Sequence, residues 1–392
     1  MNWVAVRKTA AAWLGAVTTP PRARATQLRD RIGLPASDPG PTRAIEEGFA
    51  WLCRAQDRSA SQDGGVARHF SMIDGWASSY PETTGYIADT FLAHGDDTGA
   101  RGLHERARRM LDWLASIQFA DGAFQGGTID QPVPLPATFD TGQVLIGLAA
   151  GARLDDRYRE PMIRAGDWLL RTQDADGCWR THETPYAAPG EKVYETHVSI
   201  GLFRAHAVEP GRGYGEAASA QIRWALGHQR VNGWFARCCL TDMDNPLTHT
   251  LGYALRGVVE AYLATRDRLF LEAATRTAEG VARATGPDGR LPGRLTAEWK
   301  PAADWVCLTG TAQIAESLLL LFQATGRDEF RQTACAANAF VRRTLVTAGS
   351  PEIRGGVKGS FPIDGSYGRW QFLNWACKFM IDANRAELKL AR

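Results

Sequence analysis

Self-similarity at a fixed period constrains this chain more than any single motif. Trp51-Leu52 leads to Gln56 and Asp63-Gly64, Trp113-Leu114 to Gln118 and Asp121-Gly122, and Trp168-Leu169 to Gln173 and Asp176-Gly177. Trp224 leads to Gln229 and Asn232-Gly233, and a weaker fifth copy runs from Ala282 to Asp288-Gly289. Successive turn glycines are separated by 58, 55, 56 and 56 residues. A period of this length marks a supersecondary unit that buries its apolar face only by stacking on copies of itself.

Each copy opens with apolar residues at i, i+3, i+4 and i+7, the pattern of an amphipathic helix, and stops at an Asp-Gly or Asn-Gly turn whose glycine supplies positive φ. A second helix follows in each copy, beginning near Thr84-Gly85, Thr141-Gly142, Thr196-His197, Thr250-Leu251-Gly252 and Thr309-Gly310. These second helices are richer in Gly, Ala and Leu, as a buried inner ring requires. A sixth, degenerate copy pairs Glu329–Leu345 with Tyr367–Ala383 across a Gly-rich loop, 349–366. Six hairpins close a ring, so the expected fold is all-α, an (α/α)6 toroid with an inner and an outer ring. It occupies residues 41–392 as one domain after a basic N-terminal segment, 1–40. The five turn glycines should share one end of the ring. The recurring Trp residues read as packing, and charges such as Arg106 and Arg276 on the first helices as solvated faces.

The run Arg164-Ala165-Gly166-Asp167-Trp168-Leu169-Leu170-Arg171-Thr172-Gln173, then Gly177-Cys178-Trp179, resembles the Gln–Trp repeat of squalene and terpene cyclases and of their relatives, the protein prenyltransferase β subunits. The resemblance spans roughly residues 44–385 and implies the toroid. It does not extend to chemistry. Asp242-Met243-Asp244-Asn245 lacks the last acid of a cyclase D-x-D-D run, and Asp304-Trp305-Val306-Cys307 has the wrong spacing for a prenyltransferase zinc site, with no His after His249. In plan the chain is also similar to bacterial glycan-processing (α/α)6 hydrolases, lyases and epimerases.

Aromatic and acidic residues recur where the second helices begin. They are Tyr80 and Glu82, Phe139 and Asp140, Tyr194 and Glu195 with His197, His249, Trp305, and Tyr367 with Trp370. Capping explains a Thr or Asp at a helix start. It does not explain an aromatic ring beside the acid in copy after copy. Glu82, Asp140 and Glu195 are candidate acid/base groups, with His197 and Tyr80 as partners. Tyr194, Trp76, His249, Trp305, Tyr367 and Trp370 are candidate substrate-binding residues. Aromatic faces stack on sugar rings, and paired carboxyl groups cleave glycosidic bonds.

A second recurrence lies just past the turn glycines: Arg68, Arg180, Arg237, Arg294 and, in the degenerate copy, Lys358, with Gln125 breaking the series. Five cations at equivalent points of a ring form a collar suited to an anion.

The net charge is +2, from 45 Lys and Arg against 43 Asp and Glu, so no overall field draws in nucleic acid or a membrane surface. The seven cysteines are scattered, without C-x-x-C or Cys/His zinc spacing, and read as reduced thiols of a cytoplasmic protein. No metal or other cofactor is expected. The apolar stretch 9–17 is too short to span a membrane and lies in a poor cleavage context for a signal peptide. The expected partner is a small-molecule or oligosaccharide substrate. The reading reached is an enzyme on an anionic, uronic-acid-containing glycan, a glycoside hydrolase or a uronate lyase or epimerase. The alternatives are an enzyme binding an isoprenoid diphosphate at the same collar and a non-catalytic glycan-binding scaffold.

Overall fold

A computed structural model describes residues 20–390. The residues before them, with the apolar stretch 9–17, lie outside the described part. Among the described residues are thirteen α-helices. Helix α1 (Pro21–Ile32) precedes the ring. The outer helices are α2 (Pro41–Asp57), α4 (Arg101–Ile117), α6 (Arg159–Thr172), α8 (Tyr214–Leu226), α10 (Arg268–Ala284) and α12 (Asp328–Arg343). The inner ones are α3 (Pro81–Thr98), α5 (Thr138–Ala152), α7 (Val198–His206), α9 (Thr248–Thr265), α11 (Leu308–Thr325) and α13 (Asn374–Leu390). Neighbouring inner helices pack together all the way round, α13 returning to α3, so the ring is closed and the fold is an (α/α)6 toroid.

The hairpins are phased differently from the expected outer-then-inner order. Each inner helix packs on the outer helix that follows it, after a connection as short as Gly99-Ala100 or Gly326-Arg327. The sixth pair joins the two ends of the ring, α13 against α2. The connections from outer to inner helices are the long ones, and they gather at one end. The Asp-Gly turns belong to them.

Those turns are the repeated joint of the structure. Gly64, Gly122, Gly177, Gly233 and Gly289 all have positive φ, and so does Gly355 in the degenerate copy. The preceding Asp or Asn accepts a hydrogen bond from the residue after the glycine, as Asp121 Oδ1 does from the Ala123 N–H at 3.1 Å. At five of the six positions the chain runs tightly against the next outer helix. A Cβ on Gly122 would lie 2.3 Å from the Arg164 carbonyl oxygen, one on Gly233 2.2 Å from that of Arg276, and one on Gly355 2.0 Å from that of Glu47.

The repeat glutamines clasp the same joint. Gln118 Nε2 donates to the Gly122 and Pro161 carbonyls, both at 2.9 Å, and Gln173 Nε2 to those of Gly177 at 2.9 Å and Ala217 at 3.0 Å. Gln56 bonds the Gly64 and Arg106 carbonyls, and Gln229 bonds the Ala273 carbonyl and the Thr277 hydroxyl, which itself reaches the Gly233 carbonyl. Arg106 donates to Gln56 Oε1 at 3.0 Å and Arg276 to Gln229 Oε1 at 2.8 Å. These two arginines are therefore part of the joint and not the solvated charges their positions on outer helices suggested.

Two small sheets finish the long connections. Strand β1 (His69–Ser71) lies between β2 (Gly75–Trp76) and β5 (Gln371–Leu373), with Phe70 opposite both Trp76 and Phe372, and β3 (Val306–Cys307) pairs with β4 (Ser360–Phe361). The first and last connections are thereby stitched together at the mouth. Helix α1 is tied to the last connection by Lys358 and Asp30, 2.5 Å apart and both buried, and by Arg31 on Asp364.

Gly233→Ala and Gly326→Ala both place a side chain at positive φ, but only Gly233 faces a backbone carbonyl; nothing lies within 4 Å of a Cβ at Gly326. Gly326→Ala should cost about 1 kcal/mol and Gly233→Ala at least about 3 kcal/mol in urea denaturation. Equal losses would remove the close approach as the reason for the repeat.

Candidate active site

The inner helices begin at the mouth, so their first residues and the connections above them enclose a cavity of about 230 Å³. Its wall includes Arg68, Tyr80, Glu82, Phe139, Thr184, Tyr186, Tyr194, His249, Tyr253, Tyr367 and Trp375. Six of these residues belong to the expected set: Tyr80, Glu82, Arg68, Tyr194, His249 and Tyr367.

Glu82, in the first turn of α3, is 7% exposed. Burial pushes its carboxyl up to about 7, the Tyr80 hydroxyl and Arg68 offsetting only part of the effect. Asp140, in the first turn of α5, has no exposed surface. Burial and then the charge of Glu82 raise it well above the usual carboxylate range. One of its oxygens accepts the Gly127 N–H at 3.2 Å, and the other has no hydrogen-bond partner. Two carboxyl groups that each oppose the other's ionisation retain a proton at neutral pH.

Arg68 is the cation nearest this pair. Its guanidinium carbon is 5.0 Å from the ring centres of Tyr186 and Trp375 and 5.7 Å from that of Tyr80. Its side chain bonds His69 Nδ1 at 3.2 Å, it makes no ion pair among the described residues, and its buried Nε is without a partner.

The two histidines have matching supports on different levels. His249 Nδ1 donates to Gln313 Oε1 at 2.8 Å, and burial takes its pKa down to about 4. It is neutral at pH 7, with Nε2 left as an acceptor at the cavity wall. His197 Nδ1 donates to Gln143 Oε1 at 2.6 Å, and its ring meets Tyr253 at 4.5 Å. It does not line the cavity, and lies with Phe379 behind Tyr253.

Several expected site residues are elsewhere. Glu195 is buried, with Lys192 and Glu183 as its charged neighbours, and it does not join Glu82 and Asp140; burial raises it to about 8. The 3-10 turn Val193–His197 directs Tyr194 to the cavity and leaves Glu195 outside it. The collar does not form round the cavity. Arg180 pairs with Asp174, Asp176 and Glu191, Arg237 with Glu191, Arg294 with Asp242 and the Asn245 carbonyl, and Lys358 with Asp30. Trp76 packs on Trp51 and Phe70. Trp305 and Trp370 are buried outside the cavity wall, Trp305 beside Leu247 and Cys307. Residues that the sequence reading did not single out are Thr184 and Tyr186 on the 173–192 connection, Tyr253 one turn beyond His249, and Trp375 at the start of α13. Only Tyr253 and Trp375 carried a signal, as aromatic residues in the first two turns of inner helices.

No family model and no curated protein sequence matches this chain. Solved structures do share its fold. An unsaturated glucuronyl hydrolase specific for heparin superposes with a TM-score of 0.72 at 16% identity, covering 90% of this chain and 97% of that one. The unsaturated glucuronyl hydrolase of Bacillus sp. GL1 gives 0.71 at 16% identity over 90% and 97% of the two chains. Cellobiose 2-epimerase from Bacillus thermoamylovorans B4167 gives 0.70 at 9% identity over 87% and 98%. All three are similar to this chain in fold. Among the described residues no helix is long and apolar enough to cross a membrane.

A carboxyl group that is harder to ionise when folded contributes stability below its unfolded pKa, and this is lost as pH rises toward the folded value. Glu195 acts over the interval from about 4.5 to about 8. Glu195→Gln should therefore melt with the parent near pH 4.5 and above it by on the order of a few °C at pH 8. A constant difference across that range would place the carboxyl in water.

Proposed function

We propose that this chain is an enzyme that hydrolyses a glycoside whose terminal sugar is a uronic acid. The observation carrying this reading is the Glu82–Asp140 pair, buried and proton-retaining, beside an aromatic cavity whose arginine has no acidic partner among the described residues. A cavity of about 230 Å³ suits one sugar ring, and the rings of Tyr80, Tyr194, Tyr253 and Trp375 offer faces for its C–H surfaces. The Arg68 fork matches a sugar carboxylate. The shared fold of two unsaturated glucuronyl hydrolases supports the same reading.

The carboxyl pair supplies the proton that the departing oxygen needs as the glycosidic C–O bond breaks. Glu82, which lines the cavity, is the member that reaches the ligand. Asp140, hydrogen-bonded to the Gly127 N–H, sets how readily Glu82 gives its proton up. Ion pairing within the chain weakens the case for a diphosphate ligand at the collar, because four of its five cations are already neutralised by carboxylates of the chain itself.

A second reading rests on His249. Held neutral, with Nδ1 donating to Gln313, it presents a basic Nε2 suited to moving a proton on a sugar carbon, the first step of epimerisation or isomerisation. Cellobiose 2-epimerase shares the fold, as does a D-mannose isomerase with a TM-score of 0.71 at 10% identity.

Glu82→Gln and Asp140→Asn should each lower kcat on a uronate-terminated oligosaccharide by about 100-fold or more, while Glu195→Gln stays near the parent. The parent kcat should decline as pH rises through about 7, where Glu82 loses its proton. Arg68→Lys should raise KM for the uronate substrate by about tenfold and leave a neutral analogue unaffected, because a point charge does not replace the fork. Full activity in Glu82→Gln with loss in His249→Ala would transfer the assignment to the second reading.

A further inference from the structure

Two buried polar atoms beside the cavity are unbonded and within reach of each other. Asp140 Oδ1 accepts the Gly127 N–H at 3.2 Å, while Oδ2 has no hydrogen-bond partner among the described residues. The Thr184 hydroxyl is likewise buried and without a partner among them, and Thr184 is the hydroxyl side chain that meets Asp140 from the 173–192 connection. Buried polar groups without a partner call for a physical account. Asp140 has no exposed surface and does not line the cavity, whereas Thr184 is 7% exposed and does. Thr184 therefore stands between the carboxyl group and the space a ligand would occupy.

The chain around Thr184 is docked on the helix start that carries Asp140. At the first residue of α5 the Thr138 N–H bonds the His182 carbonyl at 2.8 Å and the Thr138 hydroxyl the Thr181 carbonyl at 3.2 Å. A Cβ on Gly126 would lie 2.6 Å from Pro185 and 3.7 Å from Asp140 Oδ2, so Pro185 closes the other side. The Ala188 N–H bonds the carbonyl of Leu240, another residue of the cavity wall, at 2.8 Å. The other titratable groups facing Asp140 are Glu82 on α3, with Arg68 beyond it, and the phenols of Tyr80, Tyr186, Tyr194 and Tyr253. Burial holds all four phenols above their usual range, so of these groups only the two carboxyls change charge near neutrality.

We propose that Thr184 couples substrate binding to the proton on Asp140: its hydroxyl donates to an oxygen of the bound sugar while Asp140 is protonated, and turns to Asp140 once the proton is lost. This rests on reading the cavity as the site of a uronic-acid sugar. A hydroxyl has one hydrogen to give and accepts through its lone pairs. Protonated Asp140 donates from Oδ2 to the Thr184 oxygen, which leaves the Thr184 hydrogen for an acceptor in the cavity. Ionised Asp140 takes that hydrogen itself, and Thr184 then offers the ligand only lone pairs. Asp140 is thus a positioning residue that acts on the ligand through Thr184, and the site favours a sugar that presents an acceptor oxygen at this point.

The test compares the parent with Thr184→Val, which keeps the shape and removes the hydroxyl, and with Thr184→Ser, which restores it. The ionisation of Asp140 is followed in the ligand-free protein by its carboxyl infrared band, identified as the band missing from Asp140→Asn. Affinity for the methyl glucuronosides, both anomers, is read by calorimetry below and above the pH at which that band disappears, with release of methanol followed alongside. Thr184→Val should weaken binding about tenfold below that pH and about twofold or less above it, while Thr184→Ser follows the parent. Thr184→Val should also keep the band to a pH higher by about half a unit, because ionised Asp140 has lost a donor. Equal weakening on both sides of the transition, an unmoved band, or the same loss in Thr184→Ser as in Thr184→Val overturns the coupling. The expected binding pattern without release of methanol upholds the coupling and removes the hydrolase reading. Absence of binding by the parent removes the uronate reading and the coupling with it.

Discussion

The closed ring depends on one contact made six times. The turn glycine after each outer helix lies against the backbone of the next, and in five of the six copies the approach leaves no room for a Cβ. In four copies a glutamine amide holds the joint by bonding across it. A backbone-to-backbone contact has little freedom to vary in length, so each outer helix inherits its position from the last, and the angular step is repeated. The sixth contact, Gly355 on Glu47, brings the end of the chain back to its beginning, where Trp51 also donates its indole N–H to the Glu352 carbonyl at 2.8 Å. Closure then fixes where the long connections start, and with them the mouth.

The closed ring buries carboxyl groups at both ends, and the partners available decide what burial does to each. At the end away from the mouth, Asp382 has Lys378 at 2.8 Å and Arg385 at 3.5 Å, and Glu260 has Arg256 at 2.7 Å. Burial raises each, but the cations outweigh it, and both lie below their ordinary values. At the mouth, the desolvation of Glu82 is opposed only by the Tyr80 and Tyr86 hydroxyls and Arg68, and that of Asp140 by hydrogen bonds such as the one from the Gly127 N–H, and both move the other way. Asp382 and Glu260 are therefore paired and favoured as carboxylates, while Asp89, near the same charges but with no ion pair among the described residues, and the pair at the mouth are pushed toward the protonated form.

The toroid was legible because its cause is local and repeated. A positive-φ glycine, the acid before it and a glutamine a few residues earlier are short-range features, and their period survives in the sequence. Tyr80, Glu82, Tyr194, His249 and Tyr367 come together at the cavity for a related reason: the starts of the inner helices and the connections leading into them are at the mouth in every copy. The phase of the hairpins was not legible, since it depends on which neighbour an inner helix prefers, a tertiary choice. Glu195 was misplaced because, like Asp140 in the preceding copy, it follows the ring that lines the cavity by one residue, and its charged neighbours are Lys192 and Glu183 and not Glu82. Thr184 and Tyr186 lie on an irregular connection without periodicity, so no pattern pointed to them.

The collar shows how far periodicity can be trusted. Arg68, Arg180, Arg237, Arg294 and Lys358 do occupy similar offsets from their turn glycines, and equivalent offsets place the backbone equivalently. Side-chain direction is decided by whatever acid is within reach. Arg180 has the two acids of its own turn, Asp174 and Asp176, and shares Glu191 with Arg237. Arg294 and Lys358 find Asp242 and Asp30 on other connections. Arg68 alone meets rings and a histidine instead of an acid, because the strand pair that follows it brings Tyr80 and Trp375 to its side. One uncompensated cation over a proton-retaining carboxyl pair is a more selective arrangement than a ring of five. Such a fork suits a single carboxylate in a fixed orientation, and the other four cations are already held by carboxylates of the chain itself.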